Sequence, residues 1–544
     1  MKYTKIFAAL LAGAMMAGCN DLDTEPQGNT ITSDQKEEVT KNDPSKVFGS
    51  ITGLAGYLTE FGSLTGGSSS DQQWDIGFPA LLIQMDQRGM DVPSLNTGYN
   101  WYFTTQRLAD GLNTSDPNAA MWLYNYKSIR SANAIIGSMK PADADADAAL
   151  SPEALFYLAQ AYTFRAYSYL YLAQSYQFTY VGSEDKPCVP VITDVNQEQA
   201  ALDGLALSTV REVYEQIVND LNIAIDYFGR TSVTRESVLE LGAKRLASQA
   251  VAYGIRARAN LIMNKWADAA ADAQAAIGAF AGAPLSIAEA SRPGFNDITA
   301  ANWMWGIYVA ETDRVVTTGI CNFPSHMGSF SYGYATAVGC WKWINKLLFE
   351  SINRSDCRRG WWLDEDGKSA NLDAAHQSYL TSKGATARVQ CKFEAYNGVI
   401  NTSVNASDVP LMRVEEMYYI LAEATGMQNL EGGKQLLDQF VTEYRDPEFA
   451  SAATTPAEFQ DEVWKQRRIE FWGEGMSYYD MLRLKKPLDR VGGGYDATIT
   501  YLIEPDNKVL LYPIPNSEMT TNKLVTVADV TTGGPQPDPY TPAN

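Results

Sequence analysis

The sequence predicts a mostly α-helical protein: a tetratricopeptide-like scaffold of paired helices interrupted by irregular, loop-rich insertions. Three observations carry that prediction. Apolar residues recur at helical spacing in several long blocks, alanines line up along the strongest of them, and two stretches between the blocks lose this periodicity and turn to Gly, Ser, Asn and aromatic residues.

The N-terminus comes first. Lys2 and Lys5 lead an apolar run over 6–17 that is interrupted only by a glycine. The run is far shorter than the roughly 20 residues a spanning helix needs, so 1–18 reads as a signal peptide. Ala17 and Gly18 directly before Cys19 resemble a bacterial lipobox, in which the cysteine is acylated and becomes the first mature residue; Met16 stands where leucine is usual. Each buried CH2 of an acyl chain contributes about 0.8 kcal/mol, so several chains on Cys19 would hold the protein on a membrane. Asp21 and Asp23 resemble the surface-export signal of Bacteroidetes lipoproteins. Residues 19–47 are polar and read as a lipidated flexible tether, with the folded body over 48–544.

The helices follow. "MWLYNYKSIRSANAII", 121–136, precedes "SPEALFYLAQAYTFRAYSYLYLAQSY", 151–176, in which Ser151, Pro152 and Glu153 supply a start and Leu155, Leu158, Ala159, Tyr162, Ala166, Tyr169, Leu170 and Ala173 keep helical spacing. Alanines 159, 166 and 173 make a narrow seam that a partner helix can approach closely, and 121–136 is the expected partner. A helix over 208–228 comes next, then 242–277, which breaks into two around Asn264 and Lys265; Trp266, Ala269, Ala270 and Ala273 resemble the second helix of a tetratricopeptide repeat. A pair is expected at 411–424 and 432–445, and one long helix at 456–484. The helical pairs thus occupy about 119–280 and 406–490, and the loop-rich lobes about 60–118 and 281–405, where binding residues tend to sit. Within the second lobe, Trp303 and Trp305 fall in a strand-like run with one buried face, and Trp341, Ile344 and Leu348 share a face of a short helix over 341–351.

Composition removes several function classes. A formal charge of −21, more negative still without Lys2 and Lys5, argues against nucleic acid as a partner. Besides Cys19 there are five widely spaced cysteines and no CxxC pair, so neither a zinc site nor a redox dithiol is indicated. His326 and His376 are the only histidines and lie 50 residues apart, which excludes an HExxH metal motif. "DEDG", 364–367, fails the calcium-loop pattern because Trp362 would occupy its first position, and "ADADAD", 142–147, reads as a polar linker. No cofactor is implied.

Four motifs in order identify a family resemblance. The 151–176 helix leading to "PCVPVI", "LMRVEEMYYILAEA" at 411–424, "RRIEFWGEGMSYYDMLRLKK" at 467–486 and "LYPIP" at 511–515 resemble the SusD/RagB family of outer-membrane nutrient-binding lipoproteins. The resemblance implies a tetratricopeptide-like core with an irregular lobe, seated on a SusC-like TonB-dependent transporter at the cell surface, binding oligosaccharide and without enzymatic activity. Peptide or another nutrient is the alternative ligand on the same scaffold.

Glu470 and Glu474 lie at i,i+4 on one expected helix face and would suit the two carboxylates of a glycosidase. An ion network with Arg467, Arg468, Arg483 and Asp480 is the preferred reading, and Arg413 and Glu423 read the same way. For ligand binding, "LNTGYNWYF", 95–103, places Tyr99, Trp101 and Tyr102 in a turn marked by Asn96, Gly98 and Asn100. Such rings join an apolar face to a polar handle, as a pyranose ligand requires; packing of the loop onto the scaffold accounts for them equally well. Tyr332 and Tyr334 in "SFSYGYATAVG" are the second contributors, with polar contacts expected from Asp86, Arg88 or Asn100.

Overall fold

The computed structural model describes residues 44–62, 73–526 and 536–541. The signal segment, Cys19 and most of the tether lie outside the described residues. The helices used below are α1 (Phe48–Gly56), α2 (Phe78–Arg88), α3 (Asp116–Met139), α4 (Pro152–Tyr176), α5 (Val210–Arg230), α6 (Gln249–Ile262), α7 (Trp266–Ala279), α8 (Ala374–Ser382), α9 (Val414–Gly426), α10 (Leu430–Tyr444), α11 (Pro456–Glu470) and α12 (Ser477–Arg483). Strand β1 (Trp303–Ile307) pairs antiparallel with β2 (Val409–Arg413).

Local chemistry starts each helix. The Ser151 hydroxyl accepts the Ala154 amide at 3.2 Å and Pro152 opens α4, as its sequence predicts. Thr209 and Glu212 form a reciprocal capping box on α5, and Thr455 and Glu458 do the same on α11. Asn264 adopts a left-handed φ of 57°, which asparagine tolerates, and there α6 turns into α7.

Sequential helices then stack as neighbours, α3 on α4, α4 on α5, α5 on α6, α6 on α7, α7 on α9 and α9 on α10. The chain leaves this stack after α7 and returns through β2, so the second lobe is an insertion whose entry and exit strands are paired. Helix α4 is buried on all sides beyond its first two residues and Gln174, because α3 and α5 cover it and α1 lies over it. Guanidinium groups bolt the pairs: the buried Arg165 on α4 donates to both carboxylate oxygens of Asp220 on α5 at 2.7 and 2.8 Å and to Asn133 on α3 at 2.8 Å. Arg256 and Asp272 join α6 to α7, and Arg258 and Glu416 join α6 to α9.

Five expectations change. The helix over 456–484 is two helices, because Gly473 and Gly475 take φ of 78° and 75° and the chain turns between α11 and α12. Residues 242–248 hold a short 3-10 turn over Ala243–Arg245 before α6 begins. Residues 411–413 belong to β2, and α9 starts only at Val414. Trp341 is not helical: only Lys346–Glu350 of the 341–351 patch forms a helix, and Trp341 is buried in a cluster with Phe330, Leu363 and Val389. Strand β1 does form, but every residue in it is buried, so both of its faces are covered.

Candidate functional site

The paired carboxylates of 470–474 are the first arrangement to test. Glu470 closes α11 and accepts from Arg413 at 2.9 Å, from Arg445 at 2.7 and 2.9 Å and from Arg358 at 3.2 Å. Glu474 accepts from Arg413 at two positions, both 2.9 Å, and from the Lys392 ammonium at 2.6 Å. All six side chains are buried. The surrounding guanidinium groups hold the Glu470 carboxyl well below the usual carboxylate range despite its burial, and burial pulls the Lys392 amine down to about 8. A carboxyl acting as general acid needs a proton near neutral pH and access to substrate; Glu470 is held ionised, and both carboxylates are buried away from any substrate. The expected network forms in part: Arg467 and Arg483 pair with Asp480, and Arg413 and Glu423 are engaged in it, Glu423 by Arg483; Arg467, Arg468 and Arg483 do not reach Glu470 or Glu474, and Arg468 pairs with Asp91 instead.

The aromatic residues divide sharply by exposure. Of the twelve tryptophans in the chain Trp101 alone is exposed, at 40 %, with Tyr99 at 52 % and Tyr332 at 45 %. Behind them runs a column of buried rings. The Trp101 side chain lies beside the Tyr334 hydroxyl, the Tyr334 ring stacks on His326 with centroids 4.7 Å apart, and His326 meets the edge of Tyr102 at 5.0 Å. Tyr334 also donates to the Gln73 side-chain oxygen. His326 Nε2 lies 2.7 Å from the Gln73 carbonyl, which can only accept, so Nε2 carries the proton. Burial pulls the His326 pKa down to about 3, so the ring stays neutral.

Backbone bonds join the two loops. Ser94 and Lys342 form an isolated β-bridge, and the Trp343 amide donates to the Pro93 carbonyl at 3.0 Å. The Tyr332 amide donates to Thr402 and its carbonyl accepts from Asn405, which adds residues 399–405 to the same face.

The remaining expected contacts lie beneath this face. Asn100 is buried, with its amide nitrogen on Ser94 Oγ at 2.9 Å and on the Leu95 carbonyl at 3.3 Å, so it shapes the turn. Arg88 is buried against Asp110, donates to the Val509 carbonyl at 2.7 Å and lies 4.4 Å over the Tyr512 ring. Asp86 is buried and accepts the Gly475 amide at 3.0 Å; burial pushes its carboxyl well above the usual range. Tyr102 and Tyr334 are buried too. Asp86 and Arg88 therefore fasten α2 to the 471–512 segment, and the surface they were expected to serve is made by Tyr99, Trp101 and Tyr332. A cavity of about 520 Å³ lies elsewhere, between α3 and residues 192–205, lined by Trp122, Tyr126, Ile129, Ile192 and Leu205, and shares no residue with the aromatic face.

Comparison with known proteins agrees with this architecture. Residues 82–261 match a SusD-like family model described as starch-binding and associating with the outer membrane, and residues 351–528 match the SusD family model. The SusD-like protein P2 of Formosa agariphila is 24 % identical over 397 residues, covering 67 % of this chain and 72 % of the relative. A SusD-like carbohydrate-binding protein of Bacteroides vulgatus superposes with a TM-score of 0.70 at 21 % identity, over 89 % of this chain and 97 % of its own. A SusD superfamily protein of Bacteroides thetaiotaomicron superposes with a TM-score of 0.66 at 20 % identity, over 89 % and 98 %. With both halves of the body matched by its family models and the inserted lobe returning through β2 to the helical stack, the chain belongs to the SusD/RagB family, a family of non-catalytic binding proteins.

Proposed function

We propose that this protein is a cell-surface lipoprotein that captures oligosaccharide on the face formed by Tyr99, Trp101 and Tyr332 and delivers it to a SusC-like TonB-dependent transporter in the outer membrane. The observation that carries the binding reading is the exposure of Trp101 in a chain that shelters its other tryptophans. Exposing an indole to water is unfavourable, and covering its apolar ring with a ligand recovers that cost. A pyranose supplies what such a face takes: an apolar C–H side to cover the ring and hydroxyls for Asn, Ser and Thr at the edges. The family models and the carbohydrate-binding relative support the ligand class. The acidic body, with Cys19 after an apolar leader, supports a lipid tether at the outer membrane.

Calorimetric titration of the wild type and Trp101→Ala with an oligosaccharide found by screening tests the site. Loss of one stacked ring, worth on the order of 1 kcal/mol, should weaken binding roughly five- to tenfold. Unchanged affinity in a variant with wild-type circular dichroism would move the site away from Trp101.

A further inference from the structure

Three stretches of the chain that meet at the aromatic face carry no Asp, Glu, Lys or Arg at all: residues 92–106, 315–341 and 395–407. Charged residues make up 20 % of the chain, so the middle stretch alone would hold about five at ordinary composition. The only titratable ring among them that changes charge near neutrality is His326, which is buried and kept neutral. Folding brings these stretches together. Tyr332 is bonded to Thr402 and Asn405, the Asn401 amide donates to the Phe330 carbonyl at 2.7 Å, and Trp101 touches Tyr334.

The charges from neighbouring elements stay at the margin and are engaged there. Lys342 is buried with its ammonium 3.4 Å from the Cys340 carbonyl. Lys383 at the end of α8 lies 5.5 Å over the Tyr379 ring, whose hydroxyl reaches Asn401. Glu311 accepts the Tyr396 hydroxyl at 2.9 Å, and Asp373 and Glu394 both bind His376. Among the described residues, what the face exposes around its rings is neutral: Asn96, Asn397, Asn401 and Ser403, with Thr402 half-buried.

Resting on the oligosaccharide-binding reading of this same face, we infer that its ligand is an uncharged, polyhydroxylated glycan, and that acidic glycans bearing uronate or sulfate groups, and glycans bearing free amines, are rejected. An anion laid on Trp101 would lose part of its hydration with no cation to replace it, inside the field of a chain of net charge −21. A free ammonium would be drawn by that field but would find no carboxylate among the described residues of the face to take its hydrogen bonds. A neutral sugar meets amides and hydroxyls that both donate and accept.

The test is titration of the intact protein with matched probes: neutral glucan, xylan, mannan and N-acetylated chitin fragments, against polygalacturonate, alginate and chondroitin sulfate fragments and deacetylated chitin fragments. A neutral probe should bind, lose affinity in Trp101→Ala, and change its Kd less than about twofold between roughly 50 and 500 mM NaCl, since screening acts only on charge. Trp101-dependent binding of an acidic or amine-bearing probe, stronger than that of its neutral counterpart, would overturn the inference while leaving the site intact. Equal binding of a neutral probe by wild type and Trp101→Ala would instead overturn the site itself.

Discussion

Glu474 stands four residues after Glu470, as one of two catalytic carboxylates might in sequence, yet its oxygens are taken by Arg413 and Lys392. Glu474→Gln would leave that lysine and guanidinium buried with part of their charge uncompensated, which costs about 3–5 kcal/mol when a buried pair is broken. A clearly lowered midpoint in urea denaturation is the expected result; an unchanged midpoint would mean that the cluster contributes little to the fold. The sequence made the structural role of Glu470, Glu474 and Arg413 legible but gave the two glutamates Arg467, Arg468 and Arg483 as neighbours along the chain, whereas Arg358, Lys392 and Arg445 arrive from elements distant in sequence. At the aromatic face, exposure sorted residues that sequence could not: Tyr332 and Tyr334 lie two apart in the chain, one half outside and one buried on His326. His326 itself gives a pH prediction. Its folded pKa of about 3 lies below the ordinary 6.5, so the unfolded chain binds a proton first as pH falls. The stability it contributes is full above pH 6.5 and is lost progressively toward pH 3. His326→Gln, which keeps a donor for the Gln73 carbonyl, should flatten the fall of unfolding free energy between pH 6.5 and 4, measured by urea titration at each pH; parallel curves for the two proteins would refute it.

Helices α9 and α10 show how an element pair depends on what is missing from its surface. Gly433 on α10 lies against Gly426 at the end of α9, where a Cβ on Gly433 would meet the Gly426 backbone and one on Gly426 would meet the Phe459 ring of α11. Neither glycine has a positive φ, so close approach alone demands them. Gly433→Ala should therefore destabilise by about 1–3 kcal/mol through overpacking, although alanine is the better helix former by nearly 1 kcal/mol. A thermal melt showing a stabilised Gly433→Ala would mean that the helices separate at no cost. The same reasoning explains what was legible at this scale. Long periodic helices such as α4 and α5 declare themselves because apolar spacing and N-cap chemistry agree. The turn between α11 and α12 was missed because Phe471, Trp472 and Met476 continue the apolar pattern while the backbone follows Gly473 and Gly475. The Gly475 amide then caps Asp86 of α2, so this break is also what ties the first lobe to the helical stack.

For the molecule as a whole, membrane attachment is the claim that geometry and charge constrain together. Among the described residues no helix is long and apolar enough to cross a membrane. The chain is strongly acidic, with 64 Asp and Glu against 43 Lys and Arg, so it has no net electrostatic attraction to anionic headgroups. In the lipoprotein proposed above, attachment comes from Cys19, where each acyl CH2 adds about 0.8 kcal/mol and two or more chains give stable anchoring. Cys19→Ala should leave the membrane fraction in cells and appear in soluble form with an unchanged circular dichroism spectrum, because Cys19 lies ahead of the folded body. Retention of that variant on membranes after a high-salt wash would exclude a lipid anchor as the sole attachment. Asp21→Ala with Asp23→Ala separates anchoring from orientation: the protein should remain membrane-bound but become protected from protease added to intact cells. Continued cleavage at the wild-type rate would show that these two acids do not direct it outward. The two variants together decide whether the aromatic face meets its glycan outside the cell, where a transporter-coupled binding protein must work.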